Sequence, residues 1–302
     1  MRIAHIGNTA GIASILSKEQ QSDGHIADVF VFDAFTQEQF GGLRIDYRSY
    51  SFSKFMFHKK LKSYDIWHYH YPYGSLKEYL EKNQQNKILL KHYHGDDLRR
   101  ATKKEHDFCL FSTPDLLKYA PNGEWLPNPI DLKEIECYRI NNVNENSPPL
   151  IVHYPYYRNM QSYNDHYSNV LDKIEKENKG RIINISNVTH TAALEKISYC
   201  SATIGKILPE IGWFGKFELE SMALGKPVIA YVSDELYKRY SPPIYRTTID
   251  TFHNDLITLL NDESEMKRLS LEGLKYTEKH HDTRNVTQQI YKYYKSNGLN
   301  FF

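Results

Sequence analysis

The chain reads as an α/β protein of two doubly wound, parallel-sheet domains facing across a cleft. Three observations predict this. Short apolar runs rich in β-branched and aromatic residues alternate with amphipathic helical stretches along most of the 302 residues. The alternation breaks once, at residues 141–149, in a stretch of Asn, Ser and Pro. Beyond the break the strand–helix series starts afresh, as expected of a second βαβ array.

In order, residues 2–7 form a first strand, and Asn8 to Gly11 turn into a helix running to about 21. Strands follow at 27–33 and at 65–71, the latter after a basic, aromatic helix from about 53. A helix over 76–82 leads to a strand at 87–94, and further strands are expected at 107–112 and 125–130 around a short helix at 115–119. The second series has strands at 150–154, 181–185, 202–205 and 227–232, with helices over 170–179, 192–199 and 215–224. From 250 onward the pattern is almost wholly helical. The expected domains are 1–131 and 150–302, joined by a linker over 132–149, with the tail helices crossing back onto the first domain. In open α/β sheets a ligand sits beyond the carboxyl ends of the strands.

Composition narrows the functional classes. A formal net charge of +1 supplies no global field for a polyanion, so nucleic acid is excluded at this stage. Cys109, Cys137 and Cys200 are scattered, which argues against a disulfide framework and a zinc site. Residues 1–7 lack the long apolar core of a signal peptide, and no run approaches the ~18 apolar residues of a membrane span. The expected location is cytoplasmic, with membrane association at the inner face kept open. The chain has 24 Tyr and 14 His; tyrosine suits polar clefts, although strand-forming propensity explains most of it.

The sharpest segment is 212–230. Glycines at 212 and 215 open a helix, Gly225 closes it, and Pro227 begins a buried strand. Free N–H groups at such a helix start favour a phosphate, and a glutamate further in can accept bonds from a ribose diol. The plain alternative is a βα unit with a glycine C-cap.

This segment resembles the donor-binding region of retaining GT-B glycosyltransferases. The family's glutamate before Ala-Met-Ala, glycine and proline falls on Glu220, followed by Ser221-Met222-Ala223-Leu224-Gly225-Lys226-Pro227. Its Phe-Gly pair falls on Phe214-Gly215. An earlier family glutamate, eight positions before, falls on Gly212; Glu210 and Glu218 keep that spacing in another register. The sequence His94-Gly95-Asp96-Asp97-Leu98-Arg99 resembles the family's His-Gly-Ser-Asp-Leu-Arg loop, and Gly7 and Gly11 match its glycine-bearing first turn. Residues 153–158, including Pro155 and Arg158, resemble the loop that opens the donor domain. The lysine usual after that arginine is replaced by Gln161 and Ser162, leaving Lys216 as a substitute.

The resemblance implies a GT-B fold of two Rossmann-like domains and glycosyl transfer with retention. It implies a catalytic set of His94, Arg158 and Lys216. The donor would be held by Glu220, Gly215, Phe214, Glu218 and Pro155, and the acceptor or sugar loop would contain Gly7, Gly11 and Asp96. Glu220 rather than Glu218 is expected to hold the ribose. The expected partners are a nucleoside-diphosphate sugar, as substrate, and a glycan or lipid-linked acceptor of polysaccharide biosynthesis. No cofactor is expected.

Two other patterns carry alternatives. His68 and His70 share one strand face, as do His92 and His94; with Asp96 and Asp97 they suggest a metal-dependent hydrolase. Nothing downstream completes a ligand set, so the favoured reading is local hydrogen bonding and no metal. Residues 48–62 mix Lys with Phe, as a peripheral membrane contact or as a helix with one buried face. A non-catalytic nucleotide- or glycan-binding relative of the same fold is the third alternative.

Overall fold

The computed structural model describes every residue except 33–39, 48–51, 73, 140–147, 156–160, 187 and 297–302, and the backbone alone of 161–166. Arg158 and most of the expected linker lie outside the described residues. The chain divides into two compact units: Met1–Pro129 with His281–Phe302, and Ile130–His280.

In the first unit the strands are β1 (Arg2–Ile6), β2 (Ile26–Phe32), β3 (Leu43–Ile45), β4 (Ile66–His70), β5 (Ile88–Tyr93), β6 (Leu110–Phe111) and β7 (Glu124–Trp125). Between them lie helices α1 (Ile12–Ser22), α2 (Phe52–Leu61), α3 (Gly74–Asn83) and α4 (Asp96–Arg99). The sheet order is β3-β2-β1-β4-β5-β6-β7, all parallel. Winding reverses between β1 and β4, which opens a crevice at their carboxyl ends. One face of the sheet packs Ile3, Ile66 and Leu90 against Ile12 and Leu16 of α1 and against Val286, Ile290 and Tyr294 near the C-terminus. The other face packs Ala4, Ile6, Trp67 and Tyr69 against Phe57 and Leu61 of α2.

The second unit begins with α5 (Leu132–Glu136), which Asp131 caps through a bond from the Glu134 N–H, 3.1 Å. Its strands are β8 (Leu150–His153), β9 (Arg181–Asn184), β10 (Ala202–Ile204), β11 (Val228–Ala230) and β12 (Tyr245–Arg246). Helices α6 (Gln161–Lys176), α7 (His190–Ser198), α8 (Lys216–Ala223), α9 (Asp234–Tyr240), α10 (Phe252–Asn261) and α11 (Glu263–His281) complete it; α12 (Thr283–Ser296) belongs to the first unit. The sheet order is β12-β11-β10-β8-β9, all parallel, with its reversal between β8 and β10. Ile151, Ile204 and Ile229 pack on Leu171, Ile174, Phe252 and Leu256.

The two-sheet α/β architecture is the one the alternation predicts. Two short strands, β3 and β12, and helices α4, α5 and α9 were not in that expectation; α5 falls within the stretch read as a linker. Strands this short have too few residues to display a period-two pattern. Among the described residues no helix is long and apolar enough to cross a membrane.

Candidate functional site

Each unit gathers its unusual chemistry at the point where its strand order reverses. In the second unit the chain leaves β10 at Gly205 and Lys206 and reaches the start of α8 through Gly212 and Gly215. Glu218, in the first turn of α8, bridges the two ends of this loop. Its carboxylate accepts the Lys206 and Gly215 backbone N–H groups, each at 2.8 Å, and it is 1% exposed. Gly205 has no side chain because one would overlap Glu218: an added Cβ would lie 2.6 Å from Cγ. Glu218 is therefore a capping group that fixes the loop.

Glu220 faces a different environment. Its Oε1 lies 2.7 Å from His190 Nε2 at the start of α7 and 3.2 Å from Lys216 Nζ one turn earlier. Burial works to raise its pKa, but the Lys216 charge and His190 outweigh burial and hold it below the ordinary value, so it is a carboxylate at neutral pH. Lys206, unmarked by any motif, sends its ammonium against Gly215, where an added Cβ would lie 2.6 Å from Nζ. Two lysines thus stand by the N-terminus of α8, where the peptide dipoles already favour an anion. The signal for Lys206 is its position, directly after a strand at the reversal point.

The remaining expected donor residues are placed as follows. Phe214 is 2% exposed and stacks on Trp213 at 4.3 Å between centroids, so its ring shapes the loop from within. Pro155 is buried beyond β8, next to Tyr154, which is 45% exposed with its ring 5.7 Å from that of Phe217. His153 closes the floor of the reversal point, its ring 3.4 Å from the Ile204 carbonyl. Gly212 has φ +68°, and an added Cβ would meet Ser233 at 3.0 Å. A glutamate at that position would be strained, and Glu210 is exposed.

In the first unit, parallel register places His5 of β1 beside His68 of β4, and His70 of β4 beside His92 of β5. His5, His68 and His92 are wholly buried and His70 is 1% exposed, whereas His94, just beyond β5, is half-buried. The side chains form one hydrogen-bonded row. Tyr294 lies 3.4 Å from His68 Nδ1, His68 Nε2 lies 3.2 Å from His92 Nδ1, and His92 Nε2 lies 3.1 Å from Ser112 Oγ. Ser112 Oγ continues to His94 Nδ1 at 2.7 Å, His94 Nε2 to His70 Nδ1 at 3.0 Å, and His70 Nε2 to His5 Nδ1 at 3.0 Å. His5 Nε2 ends the row on Gln20 Oε1 at 2.8 Å.

With Gln20 presenting its carbonyl, every imidazole in the row is satisfied as the neutral Nε2–H tautomer. Burial drives the same state: it lowers His5 to about 4 and His94 to about 3, and pushes His68, His70 and His92 well below the ordinary value. Two triplets, His5–His68–His70 and His70–His92–His94, bring their nearest nitrogens within 4.8 Å. The row gives each of these rings hydrogen-bond partners, and Gln20 Nε2 at its end is buried without one among the described residues.

The loops at this end carry backbone strain. Gly7 has φ +88° and would, with a Cβ, lie 2.7 Å from the His70 carbonyl oxygen. Ala10 and Tyr71 have φ 51° and 62°, each costing roughly 1–2 kcal/mol. Gly11 starts α1, and Gly95, at φ +140°, starts α4. Asp97 accepts N–H groups from His94 and Gly95, and burial raises it to about 6 despite those bonds. Asp96 pairs with Arg100 at 3.3 Å. Such strain clusters where a ligand is held.

No protein-family model matches the chain, and no curated protein matches it. Solved structures do. A sucrose-phosphate synthase from Thermosynechococcus elongatus is 14% identical with a TM-score of 0.67, covering 98% of this chain and 99% of that one. Anabaena HepE in complex with UDP-glucose is 13% identical with a TM-score of 0.63, covering 98% and 100%. An α-glucosyltransferase in complex with UDP and a 13-mer DNA is 10% identical with a TM-score of 0.65, covering 97% and 98%. At these identities the likeness shows the fold, and the fold is GT-B.

The last of these corrects one expectation. Nucleic acid was excluded on net charge, yet a protein of this fold is bound to DNA. Net charge sums the whole chain, whereas a polyanion responds to the local field, so the sum excludes nothing.

Proposed function

We propose that the protein transfers a glycosyl group from a nucleoside-diphosphate sugar. The carrying observation is that the Lys206 ammonium stands against Gly215 at the start of α8, while Lys216, in the first turn, pairs with a buried, ionised Glu220 beside the β8–β10 reversal. The UDP or UDP-glucose bound in HepE and the α-glucosyltransferase supports this ligand class. The diphosphate lies against the helix start and the two lysines, which stabilise the charge that grows as the glycosyl bond breaks. Glu220 accepts bonds from the ribose hydroxyls, and His190 holds its carboxylate in place.

Retention of configuration follows the family resemblance, as does a role for Arg158. His94 lines the sugar or acceptor loop in the first unit; its ring nitrogens are engaged by Ser112 and His70, so it acts by shape and orientation rather than as a free base. The acceptor is the hydroxyl of a glycan or a lipid-linked glycan.

The test is a thermal-shift screen against UDP, GDP, ADP, CMP and dTDP, followed by donor turnover with and without acceptors, DNA oligonucleotides included. A ligand bound only by the folded state raises the melting temperature. If no nucleotide does so, the reading fails. Binding without turnover of any donor would assign the chain to the non-catalytic alternative, in which the glycine at 212 stands where the family has a glutamate.

A further inference from the structure

Helix α2 is apolar on two sides, and packing among the described residues accounts for only one. Phe57 and Leu61 are buried with Phe30, Tyr64 and Trp67. Phe52, Phe55 and Met56, at positions i, i+3 and i+4, are 76%, 63% and 43% exposed. The centre of this stripe lies about 165° round the helix from that of the buried pair, with Met56 at its near edge about 100° from Phe57, and Lys59 extends the stripe by a further turn. Lys62 is exposed just past the end of the helix, and Lys60, also exposed, sets its ammonium 5.1 Å from the Phe30 ring centroid. Scattered exposed apolar residues are ordinary, but three large ones in line mark a contact surface.

Charge identifies the partner. Between Asp46 and Asp65 there is no carboxylate, while Lys54, Lys59, Lys60 and Lys62 all fall there. A protein groove would satisfy the apolar stripe without needing lysines. A nucleic acid would satisfy the lysines but would gain little from Met56, which offers no ring for a base to stack on. An anionic bilayer satisfies both: apolar side chains enter the headgroup–acyl boundary while lysines beside them meet lipid phosphates.

We propose that this face of α2 docks the protein on an anionic lipid surface, with Phe52, Phe55 and Met56 as the inserted side chains. This reading is independent of the glycosyl-transfer reading, because no residue of the candidate donor site takes part.

The full-length protein is sedimented with vesicles of phosphatidylcholine alone and with vesicles containing roughly one third phosphatidylglycerol. Wild type partitions at least ~tenfold more strongly onto the anionic vesicles, and added salt weakens that partition. The F52S/F55S/M56S variant loses at least ~tenfold of the partition with its melting temperature unchanged. K59E/K62E, which leaves the apolar stripe and the Lys60–Phe30 contact intact, also loses it and serves where the triple variant folds poorly. Absence of wild-type binding to anionic vesicles overturns the proposal, as does full binding by both variants. Binding of a 13-mer DNA that the triple variant loses, with no vesicle binding, assigns the surface to nucleic acid instead.

Discussion

Lowering the pH should unfold the first unit through its histidine row. The sign follows from the buried rings. Burial depresses their folded pKa values below the ordinary 6.5, so the folded state carries no proton where the unfolded chain does. The stability they contribute is complete above pH 6.5 and is lost as pH falls below it. At pH 5.5 the unfolded chain gains on the order of 1 kcal/mol by protonation for each histidine that the fold keeps neutral. His5 stays neutral there, since its folded value is about 4, and His68, His70 and His92 lie well below the ordinary range. The four buried rings together remove on the order of a few kcal/mol, a large share of the whole stability of a typical domain. His94 is left out of this figure because it is half-buried. Urea unfolding followed by circular dichroism at pH 7.5, 6.5 and 5.5 measures the loss, and hydrogen exchange on β1, β4 and β5 locates it. Stability of the first unit that changes by less than about 1 kcal/mol between pH 7.5 and 5.5 would refute the neutral, desolvated row.

Glu220→Gln removes a charged acceptor worth ~1.5–3 kcal/mol and should weaken nucleotide binding roughly tenfold to a hundredfold by calorimetry. Glu218→Gln should instead lower the melting temperature, because its two oxygens hold the Lys206 and Gly215 amides, and change affinity by less than about threefold; the reverse ordering would mean the ribose contact is misassigned. Gly215→Ala should fold normally and weaken nucleotide binding, because its methyl displaces the movable Lys206 ammonium, the one atom among the described residues that it would meet closer than 3.5 Å outside its chain neighbours; unchanged affinity would remove Lys206 from the site. Glu105→Ala strips a buried carboxylate, held at about 2 against burial by Tyr93, Lys77 and Lys91, and leaves the 5%-exposed Lys91 with only Glu81 and Asp107; chemical denaturation should show a loss of about 1–3 kcal/mol, and no measurable loss would count against the network.

Much of the architecture was legible in the chain because strand and helix periods are local. A run such as 2–6 or 150–153 declares a buried strand by its own residues, and Gly225 followed by Pro227 ends α8 where the punctuation places it. The Glu220 segment was legible for the same reason: every residue in it is near in sequence. Glu218 was the ambiguous member, because spacing cannot tell a capping carboxylate from a ligand-binding one; its two amide partners decide it.

By itself, then, the sequence determined the α/β class, the two strand–helix series and the glycine-flanked helix that carries Glu220. Only the tertiary structure decided the strand orders, and with them the two reversal points, because parallel neighbours are joined through crossovers whose destination no local pattern encodes. It brought His5 and Gln20 to the two histidine pairs, added Ser112 and Tyr294, and turned a metal-like set into a satisfied neutral row. It also placed Lys206 on Gly215 and turned Phe52, Phe55 and Met56 outward while Phe57 turned in. The physical reason is common to all of these: desolvation and hydrogen-bond partnership depend on what folding brings near, often from scores of residues away along the chain.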